Sequence, residues 1–102
     1  MGLLNLFRKK NMNNEIKEYL EKGAVILDVR TMSEWNEGHS DGAKHIILDT
    51  IPNNIEEIQS WNKPVIAVCR SGVRSGQATE FLSSQGIDII NGGPWKNVDQ
   101  FL

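Results

Sequence analysis

The chain has 102 residues, enough for one compact domain and little more. Hydrophobic residues make up 39% of it, and a net charge of −2 with no long Lys/Arg run excludes a polyanion-binding footprint, so no nucleic-acid partner is expected. One cysteine excludes an internal disulfide or a Cys-x-x-Cys motif, and with two histidines beside it no closed structural zinc site is expected.

In chain order, Met1 to Lys10 place Leu3, Leu4, Leu6 and Phe7 ahead of Arg8, Lys9 and Lys10. That order is the reverse of a secretory signal, and Leu6 stands where a myristoylation pattern needs Ser or Thr. No apolar stretch approaches a membrane span, so a cytoplasmic protein is expected. Residues 1–11 read as an N-terminal extension, a flexible or loosely docked tail, and 12–102 as the domain.

Asn13 is a candidate cap for a helix with Ile16, Tyr19 and Leu20 inward, closed by Gly23. Val25–Val29 reads as a strand buried on both faces. Thr31-Met-Ser-Glu34 is a capping box that should open a short helix ending near Gly38, and a weaker strand is placed at His45–Leu48. Asn53 or Asn54 can cap a helix with Glu56 and Glu57 in its first turn and Ile55 and Ile58 inward. Pro64–Val68 is a second buried strand, with proline tolerated at its first position. After a glycine-containing loop, Ala78, Phe81 and Leu82 form the apolar stripe of a helix that Gly86 ends. Ile87–Ile90 is the last strand, and Pro94 suits the first turn of a closing helix through Trp95 and Val98. Short, wholly apolar strands separated by helices predict an α/β fold, a small doubly wound parallel sheet flanked by helices on both faces. The active crevice of such a sheet lies beyond the carboxyl ends of its strands, and Cys69 follows Val68 there.

Cys69-Arg-Ser-Gly-Val-Arg74-Ser75 runs from a buried strand into a helix. Such a loop can turn backbone N–H groups and the positive helix end onto one point, where a sulfur is stabilised as the nucleophilic thiolate. Gly72 supplies backbone freedom, Arg70 and Arg74 permanent positive charge, and Ser71 and Ser75 hydroxyl donors. A lone cysteine at a strand end is commonly a small core residue. Two arginines and a glycine within five residues make a poor core, which favours an anion-handling thiolate.

Cys69-Arg70-Ser71-Gly72-Val73-Arg74 resembles the six-residue active loop of the rhodanese family. Leu27-Asp28-Val29-Arg30 with Glu34-Trp35 and Gly38-His39 is similar to its first signature. Asp41-Gly42-Ala43 is similar to the end of its Gly-His-Ile-Pro-Gly-Ala motif, and Gly92-Gly93 before Trp95 to its C-terminal signature. The match spans about residues 12–100; Ser40-Asp41 replaces the usual Ile-Pro, and Pro94 compresses the last motif. The resemblance implies a rhodanese-like fold and a thiosulfate sulfurtransferase with Cys69 as nucleophile and no metal or organic cofactor. Residues 70 to 74 (Arg70, Ser71, Gly72, Val73 and Arg74) would bind the substrate. Their backbone would cradle a persulfide, and both arginines would take the donor, Arg74 the more important. Asp28, Arg30, Glu34 and His39 would be structural support, His39 a turn residue rather than a general base; Trp35, Trp61 and Trp95 would be core or rim aromatics. A small anionic sulfur donor, a thiol, cyanide or protein acceptor and a monomeric chain are the implied partners and state. The alternatives are a non-catalytic rhodanese-like module that binds a partner, which typically lacks the cysteine or the basic loop, and a persulfide carrier for a specific protein. A cysteine phosphatase of related fold would need its arginine six positions after the cysteine, where Ser75 stands.

Overall fold

A computed structural model describes the backbone of residues 2–102 and the side chains of residues 12–102. Four parallel strands form its sheet: β1 (Val25–Asp28), β2 (Lys44–His45), β3 (Val65–Cys69) and β4 (Ile89–Pro94), in the spatial order β2-β1-β3-β4. The helices are α1 (Gly2–Glu21), α2 (Met32–Glu37), α3 (Ile55–Ser60), α4 (Val73–Ser84) and α5 (Trp95–Asp99), with a 3₁₀ segment at Leu48–Asn53.

Strand alternation divides the core in two. On one face Leu27, Val65, Ala67 and Cys69 pack with Ile51, Ile58, Ala78 and Leu82 from the 3₁₀ segment, α3 and α4. On the other, Ile26, Ile66 and Val68 pack with Ile16 of α1 and Val98 of α5. Burial on both faces is why β3 carries no polar residue, every one of its five positions being buried. The chain leaves β1 toward β2 on one side and β3 toward β4 on the other, so strand order reverses between β1 and β3. Asp28 and Cys69 end those two strands, which puts both at the crevice.

Several element ends differ from the sequence reading. Asn13 caps nothing, because α1 runs through it from Gly2; its side-chain oxygen accepts from Asn97 Nδ2 at 3.3 Å instead. The boundary expected between residues 11 and 12 therefore falls within α1, and the side chains of Leu3 to Lys10 lie outside the described residues. β2 is two residues long rather than four, since Leu48 already belongs to the 3₁₀ turn. β4 starts two residues later than expected and continues through Gly92, Gly93 and Pro94. Pairing with β3 keeps this glycine run in the sheet through a bulge: Gly92 is the extra residue opposite Ala67/Val68, and Gly93 takes a left-handed φ of 77°. Gly92 is sterically required: a Cβ there would stand 2.6 Å from Ile66 Cγ2 and 2.8 Å from Val98 Cγ2. Pro94 accordingly precedes α5 as its cap instead of lying in its first turn.

Candidate active site

Only residues 70–72 separate the end of β3 from the start of α4. So tight a reversal needs a left-handed residue, and Gly72 supplies it at φ 103°. A Cβ at that position would also meet Gly93 Cα at 3.3 Å. The turn brings the Gly72 N–H to 3.0 Å from Cys69 Sγ, and the first turn of α4 brings Ser75 Oγ to 3.3 Å.

Cys69 is 0% exposed, beneath its loop. Burial pushes a thiol pKa up, but here it is outweighed. The Ser75 hydroxyl and the backbone N–H groups of Ser75, Gly72 and Ser71 hold the pKa below its ordinary value. The strand-to-helix turn thus places a buried sulfur among donors that favour its anion.

Asn91 completes the arrangement from β4. Its Oδ1 accepts from Ser75 Oγ at 2.7 Å and from the Gly93 N–H at 2.9 Å, and its Nδ2 donates to the Gly72 carbonyl at 3.0 Å. The C-terminal end of the loop and the first turn of α4 are so tied to the neighbouring strand. Sequence reasoning passed over Asn91: it stands beside the two glycines of the last signature, and only a structure reveals which side chain faces it.

The charged residues form two clamps. Arg30 donates to both carboxylate oxygens of Asp28, Nε to Oδ1 at 2.9 Å and Nη2 to Oδ2 at 2.7 Å, and both residues are buried. The same guanidinium donates to the carbonyls of Gly38 at 2.7 Å and Glu34 at 3.3 Å, and stacks 4.9 Å over the Trp95 ring. It therefore fastens α2 and α5 to the end of β1. Arg74 makes the second clamp, a bidentate pair with Glu34 at 2.7 and 2.9 Å. Glu34 also closes the capping box with Thr31. Hydrogen bonding to Arg74 pulls the Glu34 pKa down to about 2, outweighing the opposing effect of burial, with the bonds to Thr31 adding to it. Arg74 thereby spends its charge on α2.

Arg70 is exposed, and among the described residues it has no ion pair. It lines a cavity of about 630 Å³ beside the loop together with Lys96, Glu37 and Trp95. Ser71 is exposed and lends its N–H to the sulfur, and Val73 stands out from the start of α4 at 67% exposure. His39 lies flat on Trp35, ring centroids 3.5 Å apart, with Nδ1 bonded to the Trp35 carbonyl at 2.9 Å. His45 also stacks on Trp35, with ring centroids 4.6 Å apart, which places that tryptophan in a stack at the rim rather than in either core. Trp61 and Trp95 pack against the two cores. Among the described residues no three His, Cys, Asp or Glu side chains gather where they could hold a metal ion, and no helix is long and apolar enough to cross a membrane.

The profile of the Rhodanese-like domain family matches residues 12–95, spanning every element from the body of α1 to the start of α5. The chain belongs to the rhodanese-like family. It is 27% identical over 87 residues to a thiosulfate sulfurtransferase, GlpE, of Shewanella oneidensis, covering 85% of each chain. It is 33% identical over 78 residues to YtwF of Bacillus subtilis, a protein described as a putative sulfurtransferase, covering 74% of this chain and 75% of that one. Among solved structures, a rhodanese-like domain protein from Staphylococcus aureus superposes with a TM-score of 0.71 at 36% identity, over 85% of this chain and 86% of the other. The human single-domain sulfurtransferase TSTD1 does so at 0.66 and 25%, over 82% and 88%. The rhodanese-like fold expected from the sequence is the fold observed, a parallel four-stranded sheet with helices on both faces.

Proposed function

We propose that the protein is a sulfurtransferase that moves a sulfane sulfur from a small anionic donor such as thiosulfate to a thiol or cyanide acceptor, through a persulfide on Cys69. The observation that carries this reading is the Cys69 sulfur itself, set at the end of β3 with the Gly72 N–H at 3.0 Å and the Ser75 hydroxyl at 3.3 Å, its thiol acidified. The sulfurtransferase names of the relatives support it.

In the first half-reaction the Cys69 thiolate attacks the outer sulfur of the donor. A new S–S bond forms, the donor's own S–S bond breaks, and its electron pair leaves on sulfite. Because Cys69 is covered, residues 70–72 move aside to admit the donor, and their N–H groups then serve the persulfide. In the second half-reaction an acceptor nucleophile bonds to the outer sulfur, and the electron pair of the Cys69–sulfur bond returns to Cys69 as thiolate. Arg70 and Lys96 offer positive charge beside the loop, with Glu37 opposing them. Arg74 and Glu34 hold α4 and the loop against α2, and Asp28 with Arg30 fixes the end of β1.

Steady-state kinetics with thiosulfate and cyanide test this. Parallel double-reciprocal lines are expected, together with loss of transfer in Cys69→Ser. Intersecting lines, or transfer that survives in Cys69→Ser, would remove the covalent intermediate.

A further inference from the structure

The hydrogen-bond directions around Cys69 can be assigned from the neighbouring groups. The Asn91 amide is fixed in orientation: Oδ1 faces the Gly93 N–H at 2.9 Å, and Nδ2 faces the Gly72 carbonyl at 3.0 Å. Turning the amide over would set donor against donor and acceptor against acceptor. The atom 2.7 Å from Ser75 Oγ is therefore an acceptor, and Ser75 must donate its single proton to it. Ser75 Oγ then turns a lone pair toward Cys69 Sγ at 3.3 Å, and the hydrogen in that contact belongs to the thiol. Ser75 is 0% exposed, so water offers its hydroxyl no alternative partner.

With its proton on Asn91 Oδ1 the hydroxyl suits the thiol; the thiolate, which the Gly72 N–H already favours, needs that proton turned toward sulfur. When Cys69 ionises, its S–H bond breaks, the electron pair stays on sulfur and the proton passes to solvent. A lone pair of Ser75 would then face an anion. The hydroxyl swings its proton from Asn91 Oδ1 to Sγ with its O–H bond intact, and Oδ1 keeps only the Gly93 N–H.

We propose that Asn91 is a positioning residue that sets the ionisation of Cys69 through Ser75, by competing with the sulfur for one hydroxyl proton. The proposal deepens the reading of Cys69 as the nucleophile and rests on it. Around the sulfur, the charged groups are Arg70 of its loop, Arg74 of α4, Asp28 with Arg30 at the end of β1, and Glu34 of α2; β4 brings none. None of them bonds to the Asn91 side chain, and an uncharged residue at position 91 adds no charge among them.

The test is the pH dependence of Cys69 alkylation by iodoacetamide, a neutral reagent, in the reduced full-length protein. It needs no sulfur transfer, so its failure and failure of the sulfurtransferase reading are separate results. Ser75→Ala removes a hydrogen bond to the thiolate and should lower the ionisation constant about tenfold or more. Asn91→Leu frees the hydroxyl for sulfur and should raise the constant, roughly threefold or more, the opposite direction from Ser75→Ala. The double variant should titrate like Ser75→Ala alone. An unchanged or lowered constant in Asn91→Leu, or an equal change on both backgrounds, would overturn the proposal. Should Asn91→Leu not fold, the infrared S–H band decides, because the chain has one cysteine. At a pH where Cys69 is protonated, the band should lie at lower frequency in wild type than in Ser75→Ala. Coincident bands would mean that the thiol donates nothing to Ser75, and would overturn the proposal.

Discussion

Replacing Gly72 by alanine tests how the loop geometry and the thiol are joined. At φ 103° and ψ −9° this residue lies beyond the left-handed minimum that other residues tolerate, a conformation costing an L-residue about 1–2 kcal/mol. The added Cβ would also stand 3.3 Å from Gly93 Cα, a backbone atom held by β3–β4 pairing that yields only slightly. Alanine lowers the entropy of the unfolded chain and recovers about 0.4–1 kcal/mol. The balance of strain and entropy is a loss of about 0–1.5 kcal/mol, and the contact with Gly93 adds to it, so a total on the order of 1–2 kcal/mol is expected, roughly 4–15 °C in Tm for a domain of this size. That is small beside the roughly 5–15 kcal/mol holding such a domain together, so the variant should fold. Relaxing φ at residue 72 turns the peptide whose N–H faces Cys69 Sγ, so the thiolate should lose a donor. Equilibrium urea denaturation and the pH profile of Cys69 alkylation read the two consequences separately. Alanine at wild-type stability with an unchanged alkylation profile would refute the reasoning, since neither the strain nor the coupling would then exist.

The Glu34–Arg74 clamp should appear in a double-mutant cycle of Glu34→Ala and Arg74→Ala as a coupling of about 1 kcal/mol in denaturation, the upper range for a part-exposed bidentate pair. Because the Glu34 pKa is lowered to about 2 by the pair, that stability is fully present above the ordinary carboxylate pKa and is lost as pH falls toward 2; a cycle giving no coupling at neutral pH would contradict this. Arg70→Ala should lower kcat/KM for thiosulfate by about tenfold, with a defect that shrinks in high salt, because its charge lines the cavity and has no ion pair among the described residues. Arg74→Ala should give a defect far less sensitive to salt, its charge being met by Glu34; the reverse ranking would return donor capture to Arg74.

The parts legible in the sequence are those with local causes. The Thr31–Glu34 capping box forms as its spacing requires, and the all-apolar run before Cys69 becomes the central strand β3. Asp28 and Arg30 pair as two such groups at a strand end must when buried. Features decided by distant packing were not legible. The glycine run of β4 has little strand propensity of its own; pairing with β3 holds it in the sheet, and Ile66 and Val98 leave no room for a side chain at Gly92. Asn91 acts at Gly72 and Ser75, 19 and 16 residues away, through a register no local pattern encodes. The salt partner of Arg74 lies 40 residues earlier, so its charge looked available in sequence and is engaged in the fold.

The central claim is that Cys69 carries sulfur covalently. Incubating the reduced protein with excess thiosulfate and measuring intact mass under non-reducing conditions tests it most directly, since no other thiol exists in the chain. Wild type should gain the mass of one sulfur atom, lose it on addition of cyanide, and show no gain as Cys69→Ser. An unmodified wild-type mass, or an equal gain in Cys69→Ser, would contradict the account.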